Sequence, residues 1–270
     1  MTLRLDSAGT EVLLLQYRLT LAGFSAATSA TFDIATEEAV MAFQSAHGLL
    51  VDGIVGPDTR DALAQALKPK PPCADMFVDA AETLGVTVPV IKAVAEVESN
   101  GEGFLPSGRP TILFERHVFY RRLAAQGLDA DLLATHLPWI VVKASGGYLG
   151  GELEHFRLQQ AMALHASAAH ESASWGAFQI MGYHWKTMGY ASLDDFVARM
   201  REGYAQHLGA FVRFIAADGE LQSALLKKDW TDFARRYNGP GYAKNAYDVK
   251  LAKAYEHLAG VDREALYRPA

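Results

Sequence analysis

Two glutamates stand where acid–base chemistry would need them. Glu98 closes the run VIKAVAEVE, in which Ile91, Val94 and Ala95 recur at helical spacing. Its carboxyl therefore falls on the apolar stripe of that helix. Ser99-Asn100-Gly101 then stops the helix, which puts the carboxyl in the last turn, near the negative end of the dipole. Burial and a helix C-terminus both disfavour negative charge, so both push a carboxyl pKa upward. A carboxyl kept protonated near neutrality is what a general acid requires. Glu96 points to the opposite side, four residues after Lys92, and reads as an ordinary solvated pair. Glu115 lies in PTILFERHVF. If that stretch is extended, Glu115 shares a side with Leu113 and His117 while Arg116 points away, so His117 is the neighbour able to hold its carboxylate ionised. A plain structural role remains open for both residues: a surface helix glutamate and a salt-bridge glutamate.

Other chemistries lack their residues. The chain has nine histidines, but His165, His170-Glu171 and His184 make no His-Glu-x-x-His motif or tight ligand cluster. The expectation is an enzyme with no metal and no cofactor, which disfavours a zinc amidase. Cys73 is the single cysteine, so an intrachain disulfide is excluded. It sits among prolines with no adjacent base, unlike a peptidase nucleophile. Neither a glycine-rich phosphate loop nor a Gly-x-Ser-x-Gly elbow is present. A net charge of −6 argues against an electrostatic grip on nucleic acid or anionic membrane. The opening MTLRLDSAGTE lacks a signal peptide's basic start and apolar core, and no segment reaches the roughly eighteen apolar residues of a membrane span. A soluble product of the cytoplasm, without membrane insertion, is expected.

The elements that must position the glutamates fall into two groups. Lys68-Pro69-Lys70-Pro71-Pro72 reads as a semi-rigid spacer, giving domains over 1–68 and 76–270 with a linker at 69–75. In the first, the pattern predicts a helix over about 9–22 with Val12, Leu15 and Leu19 on one stripe. FDIATEEAVMAF and VDGIVGPDTRDAL then repeat a turn, a threonine and an apolar helix, with Thr36 and Thr59 as N-caps. This is a three-helix unit. The second domain reads as predominantly helical: helices over about 77–85 and 88–98, the latter with Pro89 in its first turn, and one long amphipathic helix over 192–218. WTDFARRY and NAYDVKLAKAYEHL supply two more. RPTILFERHVFY and SASWGAFQIMGYHW carry aromatics without a helical period and are candidates for lining a cleft.

Several of these segments resemble known families. Gly9-x-x-Val12-x-x-Leu15-Gln16, Phe32-Asp33-x-x-Thr36-x-x-Ala39-Val40-x-x-Phe43-Gln44 and Asp52-Gly53-Ile54-Val55-Gly56-Pro57-x-Thr59 resemble the type 1 peptidoglycan-binding domain. Glu98-Ser99, Trp175-Gly176-Ala177-Phe178-Gln179 and Tyr237-Asn238-x-Gly follow the order seen in goose-type lysozymes and soluble lytic transglycosylases. VESNGEGF, GRPTILFERHVF and SASWGAFQIMG look more closely like the N-acetylmuramidase domain of phage endolysins. The resemblance implies a mainly α chain: a small three-helix wall-binding domain, then a larger lysozyme-like helical domain with a minor β element.

It further implies Glu98 as general acid and Glu115 as second catalytic carboxylate, cleaving a glycosidic bond in bacterial peptidoglycan. That chemistry needs one carboxyl neutral and the other ionised. Gln179, Tyr237 and Asn238 are candidates to hold sugar hydroxyl and acetamido groups, or alternatively to brace loops. Trp175 and Trp185 can stack on sugar faces or fill the core, and His117 joins the substrate-binding set. A second carboxylate suits a hydrolase, and the room that water needs favours inversion. The expectation is an endolysin acting as a monomer, made in the host cytoplasm and reaching the wall after membrane permeabilisation. A lytic transglycosylase or autolysin on the same scaffold, and a catalytically silent wall-binding virion protein, are the alternatives.

Overall fold

A computed structural model of the chain describes residues 2–26, 28–67, 74–99, 103–239 and 241–266, with the side chains of 74 and 261–266 excepted. The proline-rich spacer with Cys73, and Asn100 and Gly101 of the helix stop, lie outside the described residues. The chain divides into two compact units, Met1–Pro69 with Leu105–Arg109, and Lys70–Phe104 with Pro110–Ala270.

The first unit packs α1 (Thr10–Leu21), α2 (Ile34–Ala46) and α3 (Pro57–Ala66) around Val12, Leu19, Phe32, Val40, Phe43 and Leu63. The two threonines are not caps. Asp33 caps α2, accepting from the Thr36 amide at 2.8 Å, and Gly56 precedes α3 with Pro57 in its opening turn. Thr36 and Thr59 sit inside the first turns and are buried because an upstream glutamine reaches each of them. Gln16 Nε2 donates to Thr36 Oγ1 at 2.9 Å, and Gln44 Nε2 donates to Thr59 Oγ1 at 3.1 Å. The carbonyl end of each glutamine takes two amides of the intervening turn, Ser29 and Ala30 or Asp52 and Gly53. The repeat in the sequence is thus a repeated polar pin. Gln44→Met keeps the volume but strands two amides, and should cost the first unit about 3 kcal/mol. A fall in the urea midpoint of the first unfolding transition of the full chain checks this.

The second unit begins with α4 (Ala74–Leu84) and α5 (Val88–Glu98), then β1 (Ile112–Phe114), α6 (Arg116–Ala125), α7 (Ala130–His136) and α8 (Glu152–Glu171). After β2 (Ala173–Trp175) and β3 (Ile180–Met181) come α9 (Leu193–Met200), α10 (Tyr204–Ala216), α11 (Gly219–Lys227), α12 (Trp230–Asn238) and α13 (Tyr247–Leu266). Phe114, Phe119, Trp175, Phe196, Phe211 and Phe233 are fully buried in its core. The helix expected over 192–218 is two helices. Ser192 caps α9, and Gly203, outside the helical conformation, starts α10. The amphipathic pattern runs across the break because both helices face the same core.

PTILFERHVF is extended only as far as Phe114. The Glu115 amide still donates to Ser172 O at 2.8 Å, continuing the β1–β2 ladder, before α6 begins. The three strands form one antiparallel sheet in the order β1-β2-β3, with Phe114 opposite Ala173 and Ser174 opposite Met181. Gly182, just after β3, is pressed onto the end of α8, where a Cβ would collide with the His170 carbonyl. Among the described residues no helix is long and apolar enough to cross a membrane.

Candidate active site

The second unit holds a cavity of about 630 Å³ whose lining includes Glu98, Gln179, Tyr183, Tyr237, Asn238 and Lys250. Glu98 arrives there because Ile91, Val94 and Ala95 are all buried, seating α5 on the core and leaving its last turn at the cleft. Burial is the largest influence on its carboxyl and pushes the pKa up to about 7. The hydrogen bond from Asn238 and the charge of Lys250 pull the other way and do not overcome it. Asn238 Nδ2 donates to Glu98 Oε1 at 2.9 Å, which leaves Oε2 to carry the proton. Glu96 is exposed as expected, whereas the Lys92 ammonium lies over the ring of Phe77, 5.8 Å from its centroid.

Tyr237 and Asn238 end α12. The Tyr237 hydroxyl donates to Phe178 O at 3.0 Å and its ring stacks on Phe233. The hydroxyl is thus engaged within the protein, and what it fixes is the position of Asn238. Gln179 lines the cavity in a left-handed conformation, φ 49°. Its Nε2 donates to Gly176 O at 2.8 Å and its Oε1 accepts from Ser174 Oγ at 2.7 Å. Both ends of the amide are taken within its own hairpin, so it braces the wall.

That hairpin is pinned from behind by His207. The Ala177 amide donates to His207 Nδ1 at 3.1 Å, and the other ring nitrogen lies 2.8 Å from Met200 O, so the neutral ring carries its proton on Nε2. Burial holds its pKa down at about 4.

Trp175 corrects the sequence reading. It is 1 % exposed, with Nε1 donating to His170 O at 3.2 Å, and it fills the core rather than stacking on a sugar. Trp185 is half-buried and donates to Glu171.

Glu115 stands at the N-cap of α6, and neither it nor His117 lines the cavity that holds Glu98. His117 Nδ1 lies 3.1 Å from Glu115 Oε2, close enough for charge attraction but outside hydrogen-bond angles. The expected neighbour is there, brought by a helical turn instead of a strand. Arg116 does turn away, donating to Pro138 O and Gly146 O at 3.0 and 2.7 Å.

Tyr148 was not foreseen. Its hydroxyl donates to both Glu115 oxygens, at 3.0 Å each, and burial with that carboxylate pushes its pKa to about 12, so it stays a donor. Behind it sits Glu154, fully buried, which accepts the amides of Leu149 and Gly150 at 2.6 and 3.1 Å through Oε1 and that of Phe114 at 3.1 Å through Oε2. Arg157 is its buried partner at 3.4 Å. One carboxylate thereby ties the strand leading to Glu115 to the loop bearing Tyr148. Glycine pairs flank Tyr148-Leu149, a pattern that suits a loop, but nothing local in the sequence points that loop at Glu115.

The sheet runs from Glu115 to the cleft wall. The Glu115 amide is bonded across to Ser172 beside β2, and β2 pairs with β3, whose Ile180 and Met181 line the cleft. Two strand spacings, about 10 Å, separate Glu115 from that wall along the sheet.

The cleft therefore carries a half-buried carboxyl whose pKa burial raises to about 7. Residues 87–259 match the N-acetylmuramidase family and residues 8–63 match the peptidoglycan binding domain family. The chain belongs to the N-acetylmuramidase family: it is a peptidoglycan-hydrolysing glycosidase with a peptidoglycan-binding domain ahead of it. Among solved structures it is similar to the crystal structure of the Burkholderia AP3 phage endolysin, with a TM-score of 0.68 and 46% identity, covering 96% of this chain and 99% of that one. No curated protein matches it.

Proposed function

We propose that the chain is an endolysin that hydrolyses the β-1,4 bond between N-acetylmuramic acid and N-acetylglucosamine, with Glu98 as general acid. The observation that carries this is the Glu98 carboxyl, pushed to about 7 by burial, held through Oε1 by Asn238 and facing the cavity. Protonation of the leaving oxygen comes from Oε2, and Glu115, with Tyr148 and His117 beside it, serves as the second carboxylate. The room that an attacking water needs between the two carboxyls favours inversion. The first unit holds the enzyme on peptidoglycan, and the chain works as a monomer without cofactor. It is made in the host cytoplasm and reaches the wall once the membrane has been opened.

The position of Glu115 also favours a second reading, a lytic transglycosylase that works with Glu98 alone. Mass spectrometry of digested sacculi separates the two. Hydrolysis leaves reducing muramic acid ends, and anhydro-muramyl ends would replace this reading with the second.

A further inference from the structure

The cleft beside Glu98 holds one fixed positive charge that acid catalysis does not need and that works against it. Lys250 stands in the opening turn of α13, its ammonium 5.4 Å from the centroid of the Tyr247 ring, and both residues line the cavity. Among the described lining residues no other lysine or arginine occurs. Nearby cations are already matched: Arg122 has Glu171 at 3.2 Å, and Arg236 has Asp232 and Glu220 at 2.8 and 3.1 Å. For His184, also in the lining, burial and the charge of Arg122 push the pKa down and so disfavour a second cation there. The carboxyl nearest in effect to Lys250 is Glu98, and in its protonated, working form Glu98 has no charge to offer. In a chain of net charge −6, Lys250 thus faces the substrate site with no ion pair among the described residues.

Resting on the reading of Glu98 above, we infer that Lys250 is a subsite for a substrate carboxylate, carried beside the scissile bond by the stem peptide of muramic acid or, where that peptide has been removed, by the lactyl group. A glycan of N-acetylglucosamine alone has no such group, so this contact selects muramyl strands. An ammonium on a flexible stem suits an anion whose position varies, where a guanidinium fork would demand fixed geometry. The contact also resolves the opposition to catalysis. A bound carboxylate neutralises Lys250 and removes its pull on Glu98, so substrate binding keeps the acid protonated.

The test compares kcat/KM of the full chain, Lys250→Met and Lys250→Arg, well below the Glu98 value of about 7 so that the acid is protonated throughout. Three substrates are used: peptide-bearing strands, amidase-stripped strands that retain the lactyl carboxylate, and strands with every carboxyl capped as an amide. Lys250→Met should lose about tenfold on peptide-bearing strands, chiefly in KM, and Lys250→Arg should stay within a few-fold of the native chain. The native chain should lose a similar factor on capped strands, and Lys250→Met nothing further. A Met penalty that disappears on stripped strands assigns a stem-peptide carboxylate, and one that persists shows that the lactyl carboxylate, freed when the amidase cuts its amide bond, takes that carboxylate's place. Equal Met penalties on peptide-bearing and capped strands would overturn the inference while leaving Glu98 untouched. Full activity of Glu98→Gln would instead remove the reading on which it rests.

Discussion

Glu98→Gln should bind sacculi as the native chain does and fail to clear them, with turnover down by about 10²–10⁴-fold. The amide keeps the shape and can still meet Asn238, but it has no proton to give. In the native chain, activity should fall as pH rises through about 7, where Glu98 ionises. The same substitution should change stability in the opposite sense. Folded Glu98 titrates near 7 against an ordinary value of 4.5. Between those values the folded chain holds a proton that the unfolded chain has released, so stability drops as pH rises through the window, and the loss is complete above 7. Glu98→Gln escapes that loss and should be more stable at alkaline pH by up to about 3 kcal/mol, with no gain below 4.5. His207 runs the other way: near 4 when folded against 6.5 ordinarily, it takes stability away as pH falls from 6.5 toward 4. The two slopes offset in the native chain, and Glu98→Gln uncovers the histidine's. Urea midpoints across this range check both claims; a variant no more stable than the native chain at alkaline pH would mean that Glu98 is not buried as described.

Glu154→Gln should be the most damaging substitution outside the cleft. The amide brings a donor to a place where three backbone donors converge and leaves Arg157 buried without a counter-charge, a loss of about 3–5 kcal/mol. Tyr148 then loses its fixed place over Glu115, so turnover should fall even where the chain stays folded. Tyr148→Phe gives the contrast: it removes the two hydrogen bonds to Glu115 with little effect on the urea midpoint, so a similar fall in turnover there assigns the loss to the hydroxyl. If Glu154→Gln unfolds at the native midpoint, the buried pair is not what holds the loop.

What could be read in the sequence followed from the range of each interaction. The α5 helix, with Ile91, Val94 and Ala95 buried and Glu98 at its end, was legible because helical spacing is local. The threonine caps were misread because their true partners, Gln16 and Gln44, stand twenty and fifteen residues away in sequence. Trp175 looked available to a sugar because an irregular aromatic stretch can face either cleft or core, and packing against Phe196 decides it. Tyr148 meets Glu115 across thirty-three residues, and Lys250 comes to the cleft on a helix whose pattern says only that it is amphipathic.

The short sheet has a consequence for how this enzyme can vary. Glu115 is set off from the cleft wall by whole strands, and Gly182 locks the outer strand onto α8. Side-chain substitutions move such a frame by tenths of an ångström, whereas inverting and retaining geometries differ by about 1 Å or more in carboxyl separation. On the proposed reading of Glu115, the carboxyl separation is therefore set by the strands of the sheet and not by the side chains packed around them.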